Sequence, residues 1–435
     1  MLAALKDIHK KIASNPFNKV AVILLRIIVG ATFVVSGFVK AIDPMGSVYK
    51  FQEYIAALDF ATLQGSEVFL AFAVPAIELV LGVMLITGCL RRTTPLLLLL
   101  LMGVMLPLTY FLATTNAVPD CGCFGDAIKL TNWQTFWKNV VLTLMLIYLL
   151  LQNKSVPCIY GPIIQWIVML LTLGLSIAIS TVGYSTQPLI DFRPYKVGTH
   201  IGSQLQPVAD SDFVFVYEKD GQQQVFSIDS IPDEEDGWTF IDRKKVTPDL
   251  SPAQKAAINA VTIYDQGTDI TEEVLDSTSN QLLILMPDID RVNKAYAFTL
   301  NDLAKTCSNK GATLYAITSA SQEQIEEWSD LTGPNYPIYT GDDSEIKMLA
   351  RGNPAVVYVE KGVVVWKRTL SSIPTKQLLN SKVPLAQLSD DISPSLQLWE
   401  LLWPYLLIMI ALLFVNRIYP VISFFVNRFK KPKED

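Results

Sequence analysis

Long apolar runs separated by short basic segments dominate the first 185 residues and return once near the C-terminus. Six runs approach or reach the roughly 20 residues needed to cross about 30 Å of hydrocarbon. They lie near 20–38, 68–88, 94–114, 135–152, 162–182 and 399–418, and each is predicted to be a membrane-spanning helix. The first contains Arg26 and ends near Lys40, and no small-residue cleavage site follows a short apolar core, so it reads as a span and not a signal peptide. Between the first two runs, Val48, Phe51, Tyr54, Ile55 and Leu58 recur at helical spacing. That pattern predicts a short amphipathic helix on the membrane surface. Trp133 and Trp137 are expected at the same interface as aromatic anchors.

Between the fifth and sixth runs the pattern changes. Phe213–Tyr217 and Gln224–Ile228 flank a turn at Asp220-Gly221, which predicts a hairpin. The acidic run Asp233–Gly237 reads as a solvated turn without the spacing of a calcium-binding EF-hand loop. From residue 280 an apolar strand 281–286, a helix 293–308, a strand 312–317, a helix 321–332, a strand 336–339 and a short helix 343–350 follow. A strand over 353–359 and another over 363–366 close the series. This β-α-β-α-β-β order predicts a mixed sheet covered by helices. The expected organisation is an α-helical membrane bundle over 1–158, a fifth helix over 159–184, a strand-rich segment over 185–278, an α/β domain over 279–392, and a sixth helix with a basic tail over 397–435.

Composition supports the spans. Hydrophobic residues make up 51% and charged residues 17%, against about 25% charged in ordinary soluble chains. The net charge of −6 is unevenly spread: residues 183–399 carry 30 acidic and 18 basic side chains. An acidic soluble part speaks against nucleic-acid binding. Lys6, Lys10, Lys11 and Lys19, Arg91 and Arg92, Lys154, and Arg428, Lys430, Lys431 and Lys433 all fall on one side of a six-span topology. The positive-inside rule makes that side the cytoplasm. The expectation is a multi-pass protein of a bacterial cytoplasmic (inner) membrane, with both termini cytoplasmic and residues 183–398 periplasmic.

Candidate chemistry is sparse. The five cysteines show no tetrahedral zinc spacing, and His9 and His200 are far apart, so no metal site is expected. Asp120-Cys121-Gly122-Cys123-Phe124-Gly125 is the most distinctive segment. Cys121 and Cys123 can close a small, strained and therefore labile disulfide. They read either as a redox pair at the membrane surface or as a structural turn. Cys89 and Cys158 fall in cytoplasmic loops and are set aside as a second pair for a relay from Cys121 and Cys123. Arg26 and Glu78 lie within spans, where a charge is costly. They read either as lining a polar pocket that holds a quinone carbonyl or a proton, or as an ion pair fixing helix register. Lys40 sits at the outer end of the first span and can snorkel to the interface.

Two resemblances add to this reading. Arg26, Ser36-Gly-Phe-Val-Lys40, Asp43-Pro44, Glu78-Leu-Val-Leu-Gly82, Cys121-Gly-Cys-Phe-Gly125 and Lys138-Asn139 together resemble the DoxX/MauE group of four-helix membrane proteins, over about residues 18–152. DoxX members are associated with quinone-linked sulfur oxidation, and MauE members with maturation of a disulfide-rich dehydrogenase alongside a thioredoxin-like partner. The resemblance implies electron exchange between a membrane quinone and thiols, with Cys121 and Cys123 as the redox pair and Arg26, Glu78 and Lys40 around the cofactor. The region from 279 resembles the thioredoxin fold, which implies a cis peptide before Pro354. The position of that family's Cys-x-x-Cys reads Asp288-Ile-Asp-Arg-Val-Asn293 here, without a cysteine. Cys307 lies too late and is expected to be buried. The exported domain is thus read as a docking module. Two functions compete: a component coupling thiol–disulfide chemistry of extracytoplasmic proteins to quinone, and a non-enzymatic scaffold anchored in the lipid bilayer that recruits an extracytoplasmic client or envelope assembly.

Overall fold

The computed structural model describes residues 16–155, 158–201, 213–219, 222–227, 239–245, 261–275, 278–373, 383–389 and 393–429. The run Asp233–Gly237 lies outside them. The chain forms two compact units, Met1–Phe192 with Asp390–Asp435, and Arg193–Ser389.

The first unit is helical: α1 (Pro16–Ile42), α2 (Pro44–Ala57), α3 (Glu67–Thr87), α4 (Thr93–Thr115), α5 (Asn132–Leu151), α6 (Pro162–Ser185) and α10 (Pro394–Phe429). All except α2 contain a stretch long and apolar enough to span a membrane. The helix predicted after the first span is α2, with Asp43 capping its N-terminus by accepting from Gly46 N. Helix α5 begins at Asn132, three residues earlier than predicted, because Thr131 and Gln134 form a reciprocal capping box there.

The bundle buries an apolar core together with small and polar residues such as Gly30, Ser36 and Gly37, and presents further apolar side chains outward. On α1, Val22, Val29 and Phe33 are buried, whereas Ile23, Leu24, Ile27 and Ile28 are exposed. Lipid tails are as apolar as these side chains, so helix association rests on close packing and internal hydrogen bonds. Asn139 Nδ2 donates to Thr109 Oγ1 at 3.3 Å, and Asn18 Nδ2 to Ser155 Oγ at 3.1 Å. Helix α10 packs on α6, where the Thr172 and Tyr405 hydroxyls lie 3.0 Å apart.

The second unit contains β1 (Phe213–Lys219), β2 (Gln222–Ser227) and β3 (Thr239–Lys245) as a three-stranded antiparallel sheet in the order β2-β1-β3. The predicted hairpin is β1–β2, with Val216 opposite Val225. A seven-stranded mixed sheet follows, in the order β10-β9-β6-β7-β8-β4-β5. Its strands are β4 (Ile263–Asp265), β5 (Thr268–Asp269), β6 (Asn280–Met286), β7 (Ala312–Thr318), β8 (Ile338–Gly341), β9 (Ala355–Glu360) and β10 (Val363–Thr369). Strands β6, β7 and β8 are parallel, and β9 runs antiparallel to β6. Helices α7 (Tyr296–Asn309), α8 (Gln322–Thr332) and α9 (Asp343–Leu349) alternate with them as predicted.

Successive strand residues point to opposite faces. Leu282, Ile284 and Met286 accordingly enter one core cluster, and Leu283 and Leu285 another. A sheet covered on both faces reads as a continuous apolar run, which is what residues 281–286 show. The short strands β4 and β5 were not predicted; two or three residues carry too little period to read. The peptide Asn353–Pro354 is cis. Cys307 is fully buried on α7, and burial pushes its thiol up to about 12, which leaves it inert at neutral pH.

Candidate functional site

The connection from α4 to α5 carries Cys121 and Cys123. Asn116 ends α4 in the left-handed region at φ 49°. Asn132 Nδ2 reaches back to the Val118 carbonyl at 2.9 Å and to Asn116 Oδ1 at 3.4 Å, tying the two ends of the connection together. Asp120 Oδ1 accepts from Gly122 N at 2.8 Å, and Gly125 N donates to the Gly122 carbonyl at 3.1 Å. Gly122 has φ 58°, and a Cβ there would meet Lys50 Cγ at 2.9 Å. The left-handed backbone is what favours glycine; the flexible Lys50 side chain can move aside. This tight turn brings Cys121 Sγ and Cys123 Sγ to 3.1 Å as free thiols. They need to close by only about 1 Å to reach the ~2.05 Å of a disulfide.

Helix α2 covers the turn. The Tyr54 hydroxyl donates to the Cys121 carbonyl, and Lys50 Nζ lies 3.6 Å from Asp120 Oδ1. Residues 50 and 54 are one helical turn apart, so both reach the same connection. Neither was singled out as a site residue from sequence; Tyr54 read as part of an apolar stripe.

Beneath the turn lies a charged cluster inside the bundle. Lys40 Nζ donates to Glu78 Oε1 at 2.7 Å and to Oε2 at 2.9 Å. Ser36 Oγ lies 2.8 Å from Glu78 Oε2 and 2.7 Å from the Cys123 carbonyl. Its single proton serves one of these acceptors at a time. Lys138 Nζ sits over the Phe124 ring, 4.6 Å from its centroid.

Burial and charge split the two thiols. Cys123 is pushed down to about 6, first by its hydrogen bond from Cys121 and then by the cations of Lys138 and Lys40, against burial and Glu78. Cys121 moves the opposite way, through the same shared hydrogen bond and burial. Cys123 is half-buried and Cys121 buried. The pair therefore comprises one reactive thiolate and one protected thiol.

Labelling of the reduced protein with iodoacetamide follows from this. Modification of Cys123 should rise through about pH 6 and level off about one unit above, since the thiolate is the nucleophile. Lys138→Met removes a cation that favours the thiolate, so the curve moves to higher pH. Peptide mass spectrometry reads both; a wild-type midpoint near the ordinary ~8.5 would refute the assignment.

Arg26 is not part of this site. A pairing of Arg26 with Glu78 is overturned: Glu78 is held by Lys40, and Arg26 Nε donates to the Leu85 carbonyl at 3.0 Å and Nη2 to that of Ile86 at 3.3 Å. Arg26 and Lys40 are 14 residues apart on α1, about 21 Å at 1.5 Å per residue, so they serve opposite ends of the bundle. There Arg26 bonds two carbonyls of the last turn of α3, which ends at Gly88, a favourable position for a cation.

Cys89 and Cys158 come together away from the Lys40–Glu78 cluster. Their sulfurs lie 3.7 Å apart at the Arg26 end, so the described residues hold two cysteine pairs.

Residues 18–152 match the family model described as Methylamine utilisation protein MauE, and residues 211–247 match a Domain of unknown function (DUF8463). The latter span coincides with the three-stranded sheet β1–β3. No curated protein and no solved structure matches the chain. The chain is a multi-pass membrane protein whose bundle α1–α5, including the Cys121-Gly122-Cys123 turn, is similar to MauE.

Proposed function

We propose that Cys121 and Cys123 form a redox-active pair that oxidises thiols of extracytoplasmic client proteins and passes the electrons to a membrane quinone. The observation that carries this reading is the 3.1 Å approach of a half-buried and a buried thiol on a turn set over the Lys40–Glu78 pair. The Lys and Arg distribution supports a periplasmic position for this end of the bundle, where disulfides persist.

A client thiolate attacks Cys123 Sγ of the disulfide, the S–S bond breaks, and Cys121 leaves and takes up a proton. The client's second thiolate then attacks its own sulfur in the mixed disulfide. Cys123 departs with the bonding pair, and the client is released oxidised. A thiol of low pKa leaves readily, which drives this last step. The reduced pair returns two electrons and two protons to a quinone, giving the quinol and the Cys121–Cys123 disulfide. Lys40 and Glu78 are the groups near Cys123 able to donate to a quinone oxygen and to relay a proton.

The test is thiol trapping and mass spectrometry of living cells, with quinone present and depleted. The pair should shift from disulfide to dithiol on depletion. In Cys121→Ser, the Cys123 thiolate should attack the disulfide of an oxidised client, releasing one client thiolate, and the mixed disulfide should accumulate because Cys121 is absent to resolve it. A pair held in one state throughout would defeat the proposal.

One observation favours a docking role for the second unit. Where a thioredoxin-like domain would carry its cysteines, Asn353 Nδ2 donates to the Asp288 carbonyl at 2.5 Å beside cis-Pro354. We propose that this thioredoxin-like region recruits clients without exchanging thiols itself.

A further inference from the structure

The geometry points to a second thiol–disulfide site, formed by Cys89 and Cys158 at the other end of the bundle, that exchanges electrons with a small anionic disulfide. Cys89 follows the last turn of α3, and Cys158 precedes α6. Three contacts bring these connections together. Ile159 N donates to the Thr87 carbonyl at 3.1 Å, the Cys158 thiol lies 3.7 Å from that same carbonyl, and the two sulfurs lie 3.7 Å apart. Asn416 of α10 secures the second connection, donating to the Ile159 carbonyl at 2.8 Å and accepting from Gly161 N at 2.7 Å. Closing the gap to disulfide length takes about 1.7 Å, a movement of side chains.

The two thiols are unequal, as the Cys121–Cys123 pair is. Cys89 is fully buried and Cys158 half-buried. Cys158 is pushed down to about 6, first by its hydrogen bond with Cys89, then by the backbone N–H of Tyr160 and the charges of Arg26 and Arg91. Cys89 lines an open surface pocket together with Arg26, Arg91, Gln152 and Asn153. Two guanidinium groups and two amides suit the carboxylates of a small thiol or disulfide. The docking groups thus lie beside Cys89, whose sulfur is 3.7 Å from that of the attacking Cys158.

In the forward reaction the Cys158 thiolate attacks a small disulfide RSSR, forming Cys158–S–S–R and releasing one RS⁻. The Cys89 sulfur, losing its proton, attacks Cys158 Sγ and expels the second RS⁻. Two electrons leave the cysteine pair, and one RSSR becomes two RSH once protonated. Two RSH reverse the sequence. About 21 Å of helix separates this site from the Lys40 cluster, so the two pairs react independently.

The experiment uses full-length protein carrying Cys121→Ser and Cys123→Ser in lipid nanodiscs, so that failure here is distinct from failure of the proposed function. It is equilibrated in mixtures of reduced and oxidised glutathione, quenched by alkylation and read by peptide mass spectrometry. Cys89 and Cys158 should interconvert together between dithiol and disulfide. Cys89→Ser should trap one glutathione on Cys158. Arg91→Met should slow oxidation by oxidised glutathione roughly fivefold more than oxidation by neutral 2-hydroxyethyl disulfide, the scale of one exposed charge pair, since the neutral probe feels only the weaker support of the Cys158 thiolate. A wild-type pair fixed as thiols or as a disulfide at every ratio overturns the proposal, as does equal slowing of both probes by Arg91→Met.

Discussion

Glu78→Gln is expected to destabilise the bundle by about 3 kcal/mol, the lower end of the range for breaking a buried ion pair. The substitution keeps the side-chain volume and removes only the charge. Lys40 then remains inside the bundle without its counterion, both of its contacts to the Glu78 oxygens, 2.7 and 2.9 Å, being weakened. The lower figure applies because the Lys40 side chain is 12% exposed and sits near a helix end, where it can snorkel. Neutralising both partners, as Lys40→Met with Glu78→Gln, should recover most of the loss, since the unpaired charge is the main cost. Thermal unfolding in detergent, followed by exposure of buried thiols, measures all three variants. Wild-type unfolding of Glu78→Gln would show that the pair carries no stability.

The same substitutions separate stability from chemistry. Glu78 disfavours the Cys123 thiolate and Lys40 favours it. Cys123 labelling should therefore move to lower pH in Glu78→Gln and to higher pH in Lys40→Met. In the double variant the two charge effects oppose each other, so its labelling curve should lie between those of the single variants while its stability is close to wild type. A purely structural pair would leave the labelling curves unmoved.

Much of the fold is legible in sequence because the signals are local. Six apolar runs of spanning length need no tertiary information, and the 281–286 run announces a strand buried on both faces. Ser36 and Lys40 are one turn apart on α1, so their shared face is also legible. The partner across the bundle is not: pairing Glu78 with Lys40 and not with Arg26 depends on the relative register of α1 and α3, which hydropathy leaves open. Cys121 and Cys123 stand two apart and are found by eye. Cys89 and Cys158 are separated by two full helices. Only the antiparallel return of α4 and α5, with the hydrogen bond from Ile159 N to the Thr87 carbonyl, brings their connections together. Their expected cytoplasmic position sets them aside as a relay pair for Cys121 and Cys123; it carries no information about their proximity to each other.

That register of α1 against α3 is set by glycines, and Gly37→Leu should abolish it. A Cβ at Gly37 would lie 2.6 Å from both Leu79 N and the Pro75 carbonyl oxygen, and one at Gly82 would lie 2.8 Å from Val34 N and 2.9 Å from the Gly30 carbonyl. These neighbours are backbone, which cannot rotate aside as a side chain can. Small residues at a helix crossing let two backbones touch, and dispersion between them replaces the hydrophobic drive that lipid removes. Overpacking a core costs about 1–3 kcal/mol where side chains can shift; here the helices must separate, and Gly37→Leu should exceed that range. Separation also moves Ser36 and Lys40 away from Glu78, so the Cys121–Cys123 turn loses its support together with the fold. Gly103→Ala and Gly174→Ala are the matched controls, because a Cβ at either meets nothing within 4 Å. They should be neutral or gain up to about 1 kcal/mol from helix propensity. Purified yield and thermal unfolding of the four proteins, wild type included, measure the contrast. Equal behaviour of Gly37→Leu and the controls would mean that the α1–α3 crossing is looser than these distances and that the Lys40–Glu78 pair alone aligns the two helices.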